Sequence, residues 1–389
     1  MLPAELRDLI LSHIVDLSDL SALVHASPVF YQQYRFGRER LLCQCLKRTL
    51  GSVFVDAYIR QASSRAVEQR VAKLHVQPKR FSAIRPVLRD YMELHISSQF
   101  VPAEDVAFQR CSIDDITNIA SFYLGVVHPL MTDCATLFLQ NLGTQEPPEL
   151  GSLRDMERTR LLRALYRFQI FQDLLDFDHT LRTWFLGIFH PWELEEVHCI
   201  DQLVRAKHNW VFDSHITQMN PTTPKRKVDR KIVDDCVSIL MGTISHGLPL
   251  FQALSRVAKE GAFIDLLQED NRWRLSPTIP VAINRMKHDQ VRGHPNPFDP
   301  LHHEQLERAK QRMPFLGDEE KTPPLSWVII WGETYSNTYG DDIPSVLRDW
   351  GYVFWDKERL MAKGGEMKAV LQSAWLDAWP CVDPRDKYT

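Results

Sequence analysis

Three histidines and a glutamate cluster in the last quarter of the chain. His294, His302 and His303, with Glu304 adjacent, are residue types that ligate zinc. They sit around Gly293-His294-Pro295-Asn296-Pro297, a proline-broken loop, and no H-E-x-x-H or H-x-H spacing fixes them on one scaffold. Surface histidines and no metal are the expectation. His198-Cys199 sets a base beside a nucleophile, but consecutive helical residues point about 100° apart, so Cys199 is expected to be buried packing. Lys225-Arg226-Lys227, with Arg230 and Lys231, has the make-up of a nuclear-import signal or an anion contact; Asp229 interrupts it, and a solvated basic loop is the plainer reading. Tyr166, Phe168, Trp184, Phe185 and Phe189 would suit a ligand cage, yet at helical spacing they read as core. The chain has no G-x-G-x-x-G, no P-loop lysine motif and no G-x-S-x-G elbow, and no cofactor is expected.

The sharpest enzymatic coincidence is Leu174-Leu175-Asp176-Phe177-Asp178-His179-Thr180-Leu181. It resembles the D-x-D-x-T signature of haloacid-dehalogenase-type phosphatases, and Gly340-Asp341-Asp342 is similar to that family's later acidic motif. The resemblance implies Asp176 as nucleophile and Asp178 as acid/base beside magnesium. Such chemistry needs Asp176 at the end of a buried parallel strand, which reads as a near-continuous apolar run. The residues before it, Arg160 to Leu175, instead carry Arg163, Arg167, Gln169, Gln172 and Asp173 at helical spacing. A carboxylate pair closing a helix, in a chain that is not an enzyme, is the expectation.

The elements around these residues are helices. From Ser112, the residues Ile116, Ile119, Ala120, Tyr123, Leu124 and Val127 repeat at helical spacing, and Asp115 completes a cap with Ser112. A second helix is expected from Ser152 through Leu161, Leu165, Phe168 and Leu175, and a third opens at Pro191, a favoured first helical residue. Shorter ones are expected over Lys231–Ser245 and Leu248–Glu260, the last stopped by Gly261. Gly143–Pro148, Asn220–Arg230 and the proline-rich Arg292–Pro324 read as loops. Most of the tryptophans lie after residue 270, so the tail is expected to pack back on the helical body.

The first fifty residues are the most telling. Pro3 can open a helix that places Leu2, Leu6, Leu9, Ile10 and Ile14 on one face. Ser18 caps a short second helix with Leu20, Leu23 and Val24; Ser27-Pro28 starts a third with Phe30 and Tyr34; a fourth is expected after Gly37, with Leu41, Leu42, Cys45, Leu46 and Leu50. Fifty residues cannot bury all these side chains among themselves. Each aliphatic left in water forgoes about 1.5–3 kcal/mol, so the surplus face needs a partner, either the rest of this chain or another protein.

Leu2-Pro3-x-Glu5-Leu6, then Leu9-Ile10-Leu11, then Leu17-Ser18-x-Leu20-x-x-Leu23, resembles the F-box, the helical module that docks substrate receptors onto the Skp-type adaptor of cullin ubiquitin ligases. It departs from that pattern at Ala26-Ser27-Pro28-Val29-Phe30-Tyr31, where many F-boxes carry Cys and Trp. That version is similar to one found in filamentous-fungal proteins that also carry segments like Arg163–Phe168, Pro191-Trp192-Glu193 and Trp350–Asp356. The resemblance implies an adaptor interface of Leu2, Pro3, Leu6, Ile10, Leu20 and Leu23, a second and unidentified protein target, and no catalytic residues.

Composition agrees with a globular chain. Of 389 residues, 44% are hydrophobic and 25% charged. A net charge of −4 excludes a strongly basic surface that binds nucleic acid indiscriminately. No apolar run is expected to approach the roughly 20 residues of a membrane span, and seven cysteines without a C-x-x-C pair suit free thiols. No nucleic acid or membrane partner is expected. The expected location is cytoplasmic, with a nuclear visit if the basic run serves as a signal. The expected fold is mainly α: an F-box-like helical cap (1–50) on a larger irregular α-helical body (51–290), with a loop-rich, Trp-rich C-terminal segment (291–389) packed on it.

Overall fold

The computed structural model describes residues 2–72, 84–96, 102–142, 153–174, 179–219, 244, 246–257, 279, 282–283, 314–332, 342–362 and 365–387. Every regular element among them is helical, so the mainly α expectation is met. The chain divides into two compact units, Met1–Met131 and Thr132–Thr389. Residues 1–50 therefore do not stand apart as a separate cap. They share a unit with the next eighty residues.

In the first unit, α1 (Ala4–His13) and α2 (Leu17–Ala26) pack on α3 (Pro28–Leu50), and α3 packs on α7 (Ile113–Phe122). Between them come α4 (Phe54–Ala72), α5 (Ile84–Ile96) and α6 (Ala103–Arg110), with α4 touching α5, α6 and α7. The expected caps are met in part: Ser27 precedes Pro28 at the first turn of α3 but makes no side-chain capping bond. On α7 the Ser112 hydroxyl accepts from the Asp115 amide, while the Asp115 carboxylate accepts from the Ser112 amide. The third and fourth expected helices are one: α3 runs through Gly37, whose φ of −111° and ψ of 19° bend it without ending it. The cap of α2 is Asp16 rather than Ser18, its carboxylate accepting from the Ser18 amide at 2.8 Å.

One hydroxyl pins the turn between α1 and α2. Buried Thr49 accepts from the Leu17 amide at 2.9 Å and lies 3.0 Å from the Val15 carbonyl. Thr49→Val keeps the shape but leaves a buried N–H unpaired, so it is expected to cost about 1–2 kcal/mol. The urea midpoint followed by far-ultraviolet circular dichroism measures this.

A π-helical turn, Tyr123–Val127, links α7 to α8 (His128–Asn141). The composite run Ile113–Asn141 is 29 residues long, with a window of mean hydropathy 1.3, apolar and long enough by composition to cross a bilayer. The expectation that no apolar run approaches this length is corrected here, although Asp114, Asp115 and Asp133 fall inside the run. Core helices share this composition, and Ile116, Ile119, Tyr123 and Val127 are buried against protein.

The second unit is built on α9 (Asp155–Asp173) packed along α11 (Pro191–Met219), with α10 (His179–Leu186) between them in sequence. Later come α12 (Leu248–Val257), α13 (Leu325–Trp331), α14 (Ser345–Asp349), α15 (Lys357–Met361) and α16 (Glu366–Ala378). Trp327, Trp331, Trp355 and Trp375 are sealed within this unit. Tyr166, Phe168, Trp184, Phe185 and Phe189 are core, and Cys199 is sealed, its thiol pushed well above the usual range by burial. The expected helix at 231–245 falls almost wholly outside the described residues, as do the loops at 143–148 and 220–230 and most of 292–324.

Candidate functional site: an open apolar face and a buried ionic hub

Helix α1 has two unlike sides. Leu11 is 1% exposed and packs inward, whereas Leu6, Leu9 and Ile10, at i, i+3 and i+4, are 46%, 52% and 39% exposed. Leu2 (49%) is held at the start of this stripe because its carbonyl accepts from Arg7 Nη1 at 2.6 Å. Polar groups fix α1 from its other side. Arg40 Nη2 donates to both Asp8 oxygens at 2.6 and 2.8 Å, and Arg48 donates to the Ser12 and Ile14 carbonyls. Partner numbers rise together on the two helices, so α1 and this part of α3 run in parallel. Phe36, one turn before Arg40 on α3, is 91% exposed.

The six residues expected to meet an adaptor are not all on this face. Leu2, Pro3, Leu6 and Ile10 are exposed; Leu23 is half-buried; Leu20 is 2% exposed and belongs to the core of its own unit. The reason is the geometry of α2. Leu17, Leu20 and Val24, at i, i+3 and i+7, form its inner face, turned toward α3 and α7 rather than toward the open side of α1. Leu9 and Phe36, absent from the expected interface, are exposed. Leu9 was legible from its spacing; the exposure of Phe36 had no signal in the sequence.

The second unit gathers charge inside. Arg163 on α9 donates through Nε to Glu196 on α11 at 2.6 Å and through Nη2 to its other oxygen, and Nη1 reaches the Glu320 carbonyl at 3.0 Å. Burial opposes the charge on Arg163, but the Glu196 and Glu193 carboxylates outweigh it and hold the guanidinium above its usual value. Arg167 pairs with Glu193 at 2.8 Å and lies over the Phe189 ring at 4.2 Å. Arg348 grips Glu195 at 2.6 and 3.2 Å, and Arg359 grips Glu157 with two bonds of 2.7 Å. Arg160 reaches Asp318 at 2.8 Å and the Phe354 carbonyl at 3.3 Å. Thus Arg163–Phe168, Pro191-Trp192-Glu193 and Trp350–Asp356, three segments distant in sequence, meet around one hub.

This hub has the chemistry of a scaffold. Its cations are paired with carboxylates and backbone oxygens. No group of three or more His, Cys, Asp or Glu is arranged to hold a metal among the described residues. Asp176, Asp178, His294, His302, His303, Glu304, Gly340 and Asp341, together with the Lys225–Lys231 run, lie outside them. The segment leading toward Asp176 is α9, a helix to Asp173, where the phosphatase chemistry requires a strand.

Among the described residues the regular elements are all helical and fall into two units, with an open apolar face on α1. No family model, no curated protein and no solved structure matches the chain.

Proposed function

We propose that the chain is a non-enzymatic interaction protein whose N-terminal helices dock onto a Skp-type adaptor of a cullin ubiquitin ligase, while the rest of it recruits a protein target. One observation carries the reading: α1 leaves Leu2, Leu6, Leu9 and Ile10 in water although Leu11, on the same helix, is sealed. These are the positions at which the Leu-Pro opening resembles an F-box. The mechanism is positioning, and transfer chemistry belongs to other subunits. The burial of Leu20 favours the rival, a freestanding helical scaffold that consumes the motif internally. The two readings part on α1 alone.

Leu6→Asp combined with Ile10→Asp tests it. Both side chains are exposed, so the melting temperature should move by no more than about 2 °C. Co-purification with a purified Skp-type adaptor should be lost, because two carboxylates would be buried without partners in the interface. Undiminished capture by the double variant, or no capture by the parent chain, would overturn the proposal.

A further inference from the structure

A groove of about 180 Å³ opens between α2, α3 and α7, within the first unit. Leu20, Val24, Leu42 and Leu124 line it with hydrocarbon. The hydroxyls in its wall are already engaged: Thr117 donates to the Ile113 carbonyl at 2.9 Å, and Ser121 to the Thr117 carbonyl at 2.8 Å. The His25 ring lies with Nδ1 2.7 Å from the Ser21 carbonyl. What remains uncommitted is cationic. Arg38 is exposed at the rim beside the half-buried Tyr34, and it makes no ion pair among the described residues. No carboxylate lines the groove.

We propose that this groove binds a small anionic amphiphile, a monocarboxylate with an apolar tail of about six to eight carbons, its tail against Leu20, Val24 and Leu124 and its head on Arg38 and Tyr34. Charge complementarity argues for the anion: a lone guanidinium and a phenol donor stand over an apolar floor without a competing acid. Volume argues for the tail. The space of about 180 Å³ suits a short apolar chain rather than a bulky group. The inference is independent of the adaptor reading of α1, since it uses α2, α3 from Tyr34 to Leu42, α7 and Leu124 rather than the open side of α1.

Calorimetric titration of the full chain with octanoate and with octanol tests it. Octanoate should bind with a dissociation constant on the order of 0.1–1 mM. Arg38→Gln should weaken octanoate about tenfold and leave octanol unchanged. Ser121→Trp, at an exposed position beside the mouth, should abolish binding of both, with the helical circular dichroism spectrum intact in each variant. The proposal is overturned if octanoate gives no heat up to about 10 mM, if Ser121→Trp binds it as the parent does, or if Arg38→Gln leaves the octanoate-to-octanol ratio unchanged. Loss of adaptor capture in Ser121→Trp, without octanoate binding to the parent, would show instead that a protein side chain fills the groove.

Discussion

Glu196→Ala should lower the stability of the Thr132–Thr389 unit by about 3–5 kcal/mol, a large share of the roughly 5–15 kcal/mol that holds a typical domain folded. Arg163 is the cause. Its guanidinium is sealed between α9 and α11 and donates two bonds to Glu196, one of them 2.6 Å. Without the carboxylate it keeps one strong bond, to the Glu320 carbonyl at 3.0 Å, and a more distant Glu193 oxygen at 3.8 Å that already serves Arg167. A buried cation cannot recover its hydration, and arginine does not shed its proton to escape. Arg163→Met with Glu196→Leu removes both charges and should recover most of the loss, so a double-mutant cycle isolates the pair. Every tryptophan of the chain lies after residue 131, so tryptophan fluorescence in guanidinium reports this unit separately from the first. A loss below about 1 kcal/mol for Glu196→Ala would mean that the pair is solvated.

That hub was also what the sequence disclosed least. Helices show themselves through apolar period and a legible start: α1 and α7 carry an apolar stripe after Pro3 and Ser112, and α11 opens at Pro191. Arg163, Arg167 and Gln169 looked like the solvent side of α9, whereas nearly every residue from Arg160 to Gln172 is buried. Neutralised pairs let charge occupy positions that a hydrophobicity pattern assigns to water. The signal was present only across helices, in Arg163 and Arg167 set to meet Glu193 and Glu196. The unity of α3 was hidden for the opposite reason. Its buried residues begin at Leu41, so its first half has no inner face to read and is carried by chain continuity through the bend at Gly37. The open stripe of α1 was legible as surplus hydrocarbon, but not which of its leucines stay open. Leu20 and Leu6 are alike in sequence terms, and only the packing of α2 on α3 separates them.

Gly351→Ala should be the other damaging change, costing about 2–5 kcal/mol. Gly351 ends α14 with φ +57° and ψ 37°, its amide donating to the Arg348 carbonyl at 2.9 Å. Turning the chain there sends Tyr352, Val353, Phe354 and Trp355 into the core and brings the carbonyls of Phe354 and Trp355 to Arg160. Two costs add. An L-residue in this left-handed region is strained by roughly 1–2 kcal/mol. A methyl group would also stand 2.7 Å from Phe138 Cγ, and that ring is already packed against Phe354 with centroids 5.4 Å apart, so relief requires moving core and adds about 1–3 kcal/mol. Gly365 separates the two. It has φ +84° but nothing within 4 Å of the built Cβ, so Gly365→Ala carries only the backbone strain, about 1–2 kcal/mol. Guanidinium unfolding of both variants, read by tryptophan fluorescence, should place Gly351→Ala below Gly365→Ala. Equal midpoints would mean that Phe138 yields freely, and that the turn at Gly351, rather than its fit against Phe138, is what seats the Tyr352–Trp355 segment in the core.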